Sequence, residues 1–350
     1  MCETCETSGE PSKVAITLRE ACLQASSQLS EAGVEEPRAN AELLMMHLLG
    51  LTRAQLLRDA GEPLPAEQAQ RWAALVRRRA AGEPVQYIIG EQWFYGLELH
   101  VTPAVLIPRP ETELLVEAVL EEADRLWPSG SGSGAGGVVR SGTMEPPGAG
   151  SPPGTVSGSG TGMRQRGPTG EAAKDRGSAP TAVDVGTGSG AIAVALATQR
   201  PQWDLVAIDL SADALDVARA NAAHHELAGR IDFVQGDLLG PLLGESPPVD
   251  IVVSNPPYIP AGDLATLQRE VREHEPRLAL DGGADGLDPY RRLVGQLLQL
   301  AELPRLVALE VGKGQARDVA RLLEACTAWS RLRIVTDYAG IERHVIAVRE

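Results

Sequence analysis

Two short runs in this chain carry residue types that do chemistry when they sit at the end of a sheet. Gly186-Thr187-Gly188-Ser189-Gly190 directly follows an apolar run at 182–185 and opens a helical run at Ala191. Glycines there let the backbone approach a ligand without interference from a Cβ, and open α/β sheets collect ligands at the carboxyl ends of their strands. The same residues also read as Gly-x-Gly-x-x-Ala ending at Ala191, which a dinucleotide-binding turn tolerates. The loop alone therefore does not decide the cofactor. Asp209 ends the next apolar run and suits a ribose diol acceptor in either case; a turn or helix-capping aspartate is the plainer reading.

The second run is Asn255-Pro256-Pro257-Tyr258, immediately after Ile251-Val-Val-Ser254. Asn favours turns and paired prolines an extended segment, so a simple turn is the bland explanation. Two consecutive prolines, however, stiffen the backbone and leave carbonyls without competing internal donors. They hold an amide and an aromatic ring at the sheet edge that carries the glycine loop. An NH2 group has two hydrogens, and the Asn255 side-chain oxygen with the Pro256 carbonyl can accept both while the Tyr258 ring packs on the planar group. This run is the stronger signal of function.

The elements needed to position these residues are legible. Apolar runs at 182–185, 205–208, 231–234, 249–253 and 306–309 read as strands. Helical spacing predicts helices over 191–198, 211–227, 289–300 and 315–328, with Ser211 and Asp213 available to cap the second. Strands separated by helices imply a parallel, doubly wound sheet. The tail, 333–336 and 344–348, reads as a closing hairpin. Upstream, Thr17-Leu-Arg-Glu20 fits a capping box, and helices are expected over 37–49, 53–59 and 66–81. The Arg77-Arg78-Arg79 run reads as a solvated helix end. Residues 87–101, from Tyr87-Ile-Ile-Gly90 through Trp93-Phe94-Tyr95-Gly96, read as β-formers in a hairpin, and Pro110 starts a helix through Leu126.

Length and composition bound the rest. At 350 residues the chain suggests two domains. Its formal charge is −15, and only 12 residues are aromatic. Residues 128–180 hold 15 Gly, 8 Ser and 7 Pro in 53 positions with no periodic apolar pattern, and read as a disordered insertion. That segment is net +2, so the remaining 297 residues carry −17. Binding along a phosphate backbone is supplied by clustered Lys and Arg, so direct nucleic-acid binding is disfavoured. Cys2-x-x-Cys5 lacks a second ligand pair, so no metal site is expected. No apolar run approaches the roughly 18 residues of a membrane span, and a soluble, cytoplasmic monomer with free thiols is the expectation. The histidines (His47, His100, His224, His225, His274 and His344) fall in no catalytic pattern, and no general base is evident.

The motifs together narrow the chemistry. Asn-Pro-Pro-Tyr stands with Tyr87-Ile-x-Gly90, Phe94-Tyr-Gly-Leu97, Leu106-Ile-Pro-Arg-Pro-Glu-Thr-Glu113, Asp184-x-Gly-Thr-Gly-Ser-Gly190, Glu310-x-Gly312 with Gln315, and Asp337-x-x-Gly340-x-x-Arg343. The chain resembles the bacterial HemK/PrmC family of release factor N5-glutamine methyltransferases over about residues 87–127 and 181–349. The resemblance implies a Rossmann-like class I methyltransferase domain at 181–350, with a mostly parallel sheet and a C-terminal antiparallel hairpin. A helical substrate-recognition domain at 13–86 and a hairpin with connecting helix at 87–127 would precede it. It implies S-adenosyl-L-methionine as cofactor and peptide chain release factors as protein substrate. Gly186, Thr187, Gly188, Ser189 and Gly190 would bind the cofactor, Asp209 its ribose, and Asp237 and Leu238 would lie beside its adenine. Asn255 would touch cofactor and substrate glutamine, with Pro256, Pro257 and Tyr258 completing a catalytic amide site. Trp93 stands where the family usually has Glu, and the long insertion at 128–180 is also a departure. N6-adenine methyltransferases share Asn-Pro-Pro-Tyr and are the alternative; a nicotinamide dehydrogenase gives that motif no task, and a noncatalytic cofactor-binding adaptor is disfavoured by intact candidate groups at every step.

Overall fold

A computed structural model of the chain describes residues 16–128, 179–244 and 247–350. The thiols of Cys2 and Cys5, and nearly all of the 128–180 insertion, lie outside the described residues. Contacts divide the described residues into a helical unit ending at Ile89 and a larger unit beginning at Gly90.

The helical unit contains α1 (Leu18–Glu31), α2 (Pro37–Leu49), α3 (Arg53–Arg58), α4 (Ala69–Ala80) and α5 (Val85–Ile89). Thr17 and Glu20 form the expected reciprocal capping box, and Gly50 ends α2 at φ 64°. Leu29, Leu44, Met45, Trp72 and Val76 meet in its core. Two expectations fail here. Tyr87, Ile88 and Ile89 are helical, because Pro84 opens a helical turn whose carbonyl accepts from Tyr87 and Ile88 N–H; a short apolar run fits either structure until its neighbours decide. Arg79 is buried and donates to Asn40 Oδ1 at 2.7 Å, while Arg77 and Arg78 stay exposed. Successive helical residues point about 100° apart, so one of three consecutive arginines met the core. Arg79→Ala leaves the Asn40 oxygen short of a donor and should lower the unfolding free energy by about 2 kcal/mol. A urea titration checks this.

The larger unit starts with an antiparallel hairpin, β1 (Glu91–Phe94) and β2 (Leu97–His100), and α6 (Pro110–Leu126). Then come β3 (Thr181–Val185), α7 (Ala191–Gln199), β4 (Asp204–Asp209), α8 (Ala212–His224), β5 (Ile231–Gln235), β6 (Ile251–Ser254) and α9 (Arg269–His274). The chain closes with α10 (Asp288–Leu297), β7 (Leu306–Glu310), α11 (Ala316–Cys326), β8 (Arg331–Thr336) and β9 (Glu342–Val348). The sheet order is β5-β4-β3-β6-β7-β9-β8, parallel through β7, with β9 antiparallel to both β7 and β8. Strands 3, 6 and 7 are buried on both faces, so alternate residues serve different cores. Ala182, Ile251 and Leu306 pack toward Leu115, Val119 and Leu196 of α6 and α7, whereas Val183, Val252 and Val307 pack toward Tyr290, Leu293 and Leu323 of α10 and α11. The short helix α9 had no sequence signal.

Candidate active site

The order reverses between β3 and β6: the chain runs outward from β3 through β4 to β5, then returns to β6 on the other side. Ligand crevices form at this kind of switch point. The carboxyl ends of the two central strands are tied directly, because Ser254 Oγ donates to the Val185 carbonyl at 2.7 Å. The glycine loop and Asn255 therefore start from neighbouring points.

Backbone N–H groups of Gly186 and Thr187 both donate to the Ile208 carbonyl, which folds the loop over the end of β4. Gly188 N–H donates to Asp209 Oδ2 at 2.8 Å, and Ser211 N–H to its Oδ1 at 2.9 Å. Each carboxylate oxygen retains acceptor capacity after one backbone bond. Burial raises the Asp209 pKa, while those backbone bonds oppose the rise. Beneath the loop Asp184 is wholly buried, and its Oδ2 accepts from Thr187 Oγ1 at 2.6 Å and Ala193 N–H at 3.1 Å. Desolvation pushes Asp184 up to about 7.

A cleft of about 490 Å³ opens above these groups, within the usual range of roughly 300–1,000 Å³ for small-molecule sites. Gly186, Thr187, Gly188, Ser189, Asp209, Asp237, Leu238, Asn255 and Pro257 line it. Space above Gly186 and Gly188 is open, with no atom within 4 Å of where a Cβ would be. Gly190, Pro256 and Tyr258 are not lining residues. At Gly190, with φ 82°, a Cβ would stand 3.1 Å from Ala218 Cβ, so this glycine lets α7 start against α8. Asp237 pairs with Arg292, and Gln296 accepts from Leu239 N–H at 2.6 Å, fixing this wall to α10. The open glycine face, the Asp209 acceptor and the apolar edge at Leu238 suit a nucleoside-bearing cofactor.

Residues preceding α6 and following α9 also line the cleft. Arg109, in the cleft, pairs at 2.5 Å with buried Glu275, whose other oxygen accepts from Ile107 N–H at 3.4 Å. Asn255 Nδ2 donates to Thr112 Oγ1 at 3.2 Å. Its Oδ1 receives no hydrogen bond from the described residues. Tyr258 is largely buried; desolvation, with Glu310 adding to it, pushes the phenol up to about 12, so the ring stays neutral.

Further residues shape this region: Gln315, whose motif carried no assigned role, and Asn221 and Gly286, which sequence reasoning missed. Gln315 Nε2 donates to the Tyr258 carbonyl at 2.9 Å, while its Oε1 accepts from Gly312 N–H. Asn221 of α8 joins β2 to the glycine loop, accepting from His100 N–H and donating to the His100 and Ser189 carbonyls. Its signal was present, as a polar residue in phase with buried Leu215, Ala218 and Ala222. Gly286, at φ 78°, packs so closely that a Cβ would lie 2.3 Å from the Tyr258 carbonyl oxygen and 2.4 Å from Gln315 Nε2. Gly286→Ala should therefore cost about 2 kcal/mol of stability through overpacking and backbone strain. Chemical denaturation tests this, and an unchanged midpoint and slope would refute it.

Comparison with known proteins gives the site its context. The PrmC N-terminal domain family matches residues 20–90, and the methyltransferase small domain family matches residues 173–283. A release factor glutamine methyltransferase of Moorella thermoacetica is 40% identical over 95% of this chain and 99% of its own length. The protein of that name in Chlorobaculum tepidum is 37% identical over 90% of this chain and 91% of its own, and that in Bacillus subtilis 35% over 95% and 98%. With this identity sustained across both units, the chain belongs to the release factor glutamine methyltransferase family of S-adenosylmethionine-dependent protein methyltransferases.

Proposed function

We propose that this protein methylates the side-chain amide nitrogen, N5, of the glutamine in the Gly-Gly-Gln motif of peptide chain release factors. The observation that carries this reading is the Asn255 side chain, which lines the same cleft as Asp209 and the glycine loop and whose Oδ1 accepts from none of the described residues. S-adenosylmethionine supplies a methyl group already activated on a sulfonium. Gly186, Thr187, Gly188, Ser189 and Gly190 belong to the cofactor loop, Asp209 accepts from the ribose hydroxyls, and Asp237 and Leu238 flank the adenine.

The remaining task falls to the chain's own groups. An amide nitrogen is a poor nucleophile because its lone pair is delocalised. Asn255 Oδ1 and the Pro256 carbonyl accept its two hydrogens, which fixes the nitrogen's orientation and favours the positive charge that develops on it. Pro256 and Pro257 hold the carbonyl rigidly, and the Tyr258 ring packs against the amide. No side chain is required as base, since the product proton can leave to water.

The helical unit serves release-factor recognition, and the protein acts as a cytoplasmic monomer without binding nucleic acid directly. The −17 charge outside residues 128–180 supports a protein partner that itself works against RNA. Among the described residues no helix is long and apolar enough to cross a membrane, and no His, Cys, Asp and Glu group could hold a metal. Incubation with methyl-labelled S-adenosylmethionine, candidate release factors and an adenine-containing oligonucleotide tests the assignment. Label should appear on a release-factor glutamine; label on adenine would overturn it.

A further inference from the structure

Asparagine offers nearly the same shape in two amide orientations, but only one presents an acceptor to an incoming NH2 group. The wrong one sets donor against donor. Something must choose between them, and the structure holds a device able to do so behind Asn255.

Thr112, third residue of α6, is 5% exposed, and Glu310, last residue of β7, is 2% exposed. Thr112 Oγ1 donates to Glu310 Oε2 at 2.7 Å and accepts from Asn255 Nδ2 at 3.2 Å. A hydroxyl has one hydrogen, and a carboxylate can only accept. With that hydrogen committed to Glu310, the threonine oxygen can only accept from Asn255, so the NH2 end must face it. Oδ1 is then left without a donor among the described residues, on a side chain that lines the cleft.

Glu310 is itself held. Tyr290, fully buried in α10, donates its hydroxyl hydrogen to the Glu310 carbonyl at 2.8 Å. The carboxylate faces the first turn of α6, where the helix dipole favours negative charge, and the buried His344 Nε2 lies 3.8 Å from Glu310 Oε2.

We propose that Thr112, with its hydroxyl direction set by Glu310, is the positioning residue that selects the Asn255 amide orientation and so aims Oδ1 at the methyl acceptor. This role rests on the acceptor chemistry proposed above. It assigns work to two motif residues, in the runs at 106–113 and 310–312, that the cofactor and substrate contacts leave without a task.

The test is steady-state methyl transfer to a release factor by full-length Thr112→Val, Thr112→Ser and Glu310→Gln proteins, with S-adenosylmethionine binding measured on each. Thr112→Val should lower kcat about tenfold, with the release-factor KM and the cofactor Kd each within about threefold of wild type. Thr112→Ser, which keeps the hydroxyl, should recover most of that loss. Glu310→Gln can present an NH2 to Thr112, freeing the hydroxyl hydrogen to face Asn255, and should also lose kcat about tenfold. A folded Thr112→Val protein with kcat within twofold of wild type overturns the role. So does Thr112→Ser as slow as Thr112→Val, since packing rather than the hydroxyl would then matter. Should Thr112→Val fail to fold, the serine and glutamine variants decide: an unimpaired Glu310→Gln overturns the role. A wild-type protein that labels no release factor would instead overturn the substrate assignment.

Discussion

Asn255→Ala is expected to methylate a release factor about 10² to 10³ times more slowly than wild type, the range seen when one preorganised polar group is removed from a site of developing charge. The substitution deletes Oδ1, the acceptor proposed for one hydrogen of the substrate amide, and leaves Thr112 Oγ1 without the donor it now has at 3.2 Å. It leaves the strand beneath intact, because Ser254 Oγ still ties β6 to the Val185 carbonyl. The loss should therefore fall on kcat in single-turnover experiments at saturating cofactor, with the melting temperature little changed. A folded, cofactor-bound Asn255→Ala protein that works at the wild-type rate would mean that the amide is not oriented by this side chain.

The second large effect is expected at Asp209, and it concerns affinity. Asp209→Ala removes the acceptor proposed for the ribose and also strands two amides, Gly188 N–H and Ser211 N–H, that now donate to its carboxylate. Charge-assisted hydrogen bonds contribute about 1.5–3 kcal/mol, and each 1.4 kcal/mol is tenfold in a dissociation constant, so S-adenosylmethionine should bind about 100-fold more weakly. Asp209→Asn keeps one acceptor and should lose less. The pH dependence has a definite sign. Burial raises the Asp209 pKa, and the ionised carboxylate is the better acceptor, so affinity should fall as pH falls through a value above the ordinary 3.8. Calorimetric titration over that range checks both; affinity of Asp209→Ala within threefold of wild type would remove Asp209 from the cofactor site.

What could be read without coordinates was local. The glycine turn, the paired prolines after an apolar run, the Thr17 capping box and the alternation of strands with helices each depend on residues a few positions apart. Their backbone consequences are set by Cβ sterics, ring closure and side-chain-to-backbone bonds. The parallel sheet followed, because strands joined by helices have few other ways to bury both faces. Local reading failed where two local answers were equally good. The run from Tyr87 to Ile89 suited a strand until Pro84 and the surrounding helices settled it, and three adjacent arginines looked alike until the packing of α4 put Arg79 beside Asn40.

The sequence by itself determined which motifs are present, the glycine loop and Asn-Pro-Pro-Tyr among them, and with them the family resemblance. Only the tertiary structure decided which side chains stand behind Asn255. Asn255, Thr112 and Glu310 are 143 and 198 positions apart along the chain, and they meet because β6 and β7 are neighbours and α6 starts against their ends. The same holds for Gly286 and Gln315, which close on the Tyr258 carbonyl from separate segments. Hydrogen-bond direction and close backbone approach are properties of three-dimensional distance, and no spacing in a linear sequence encodes them.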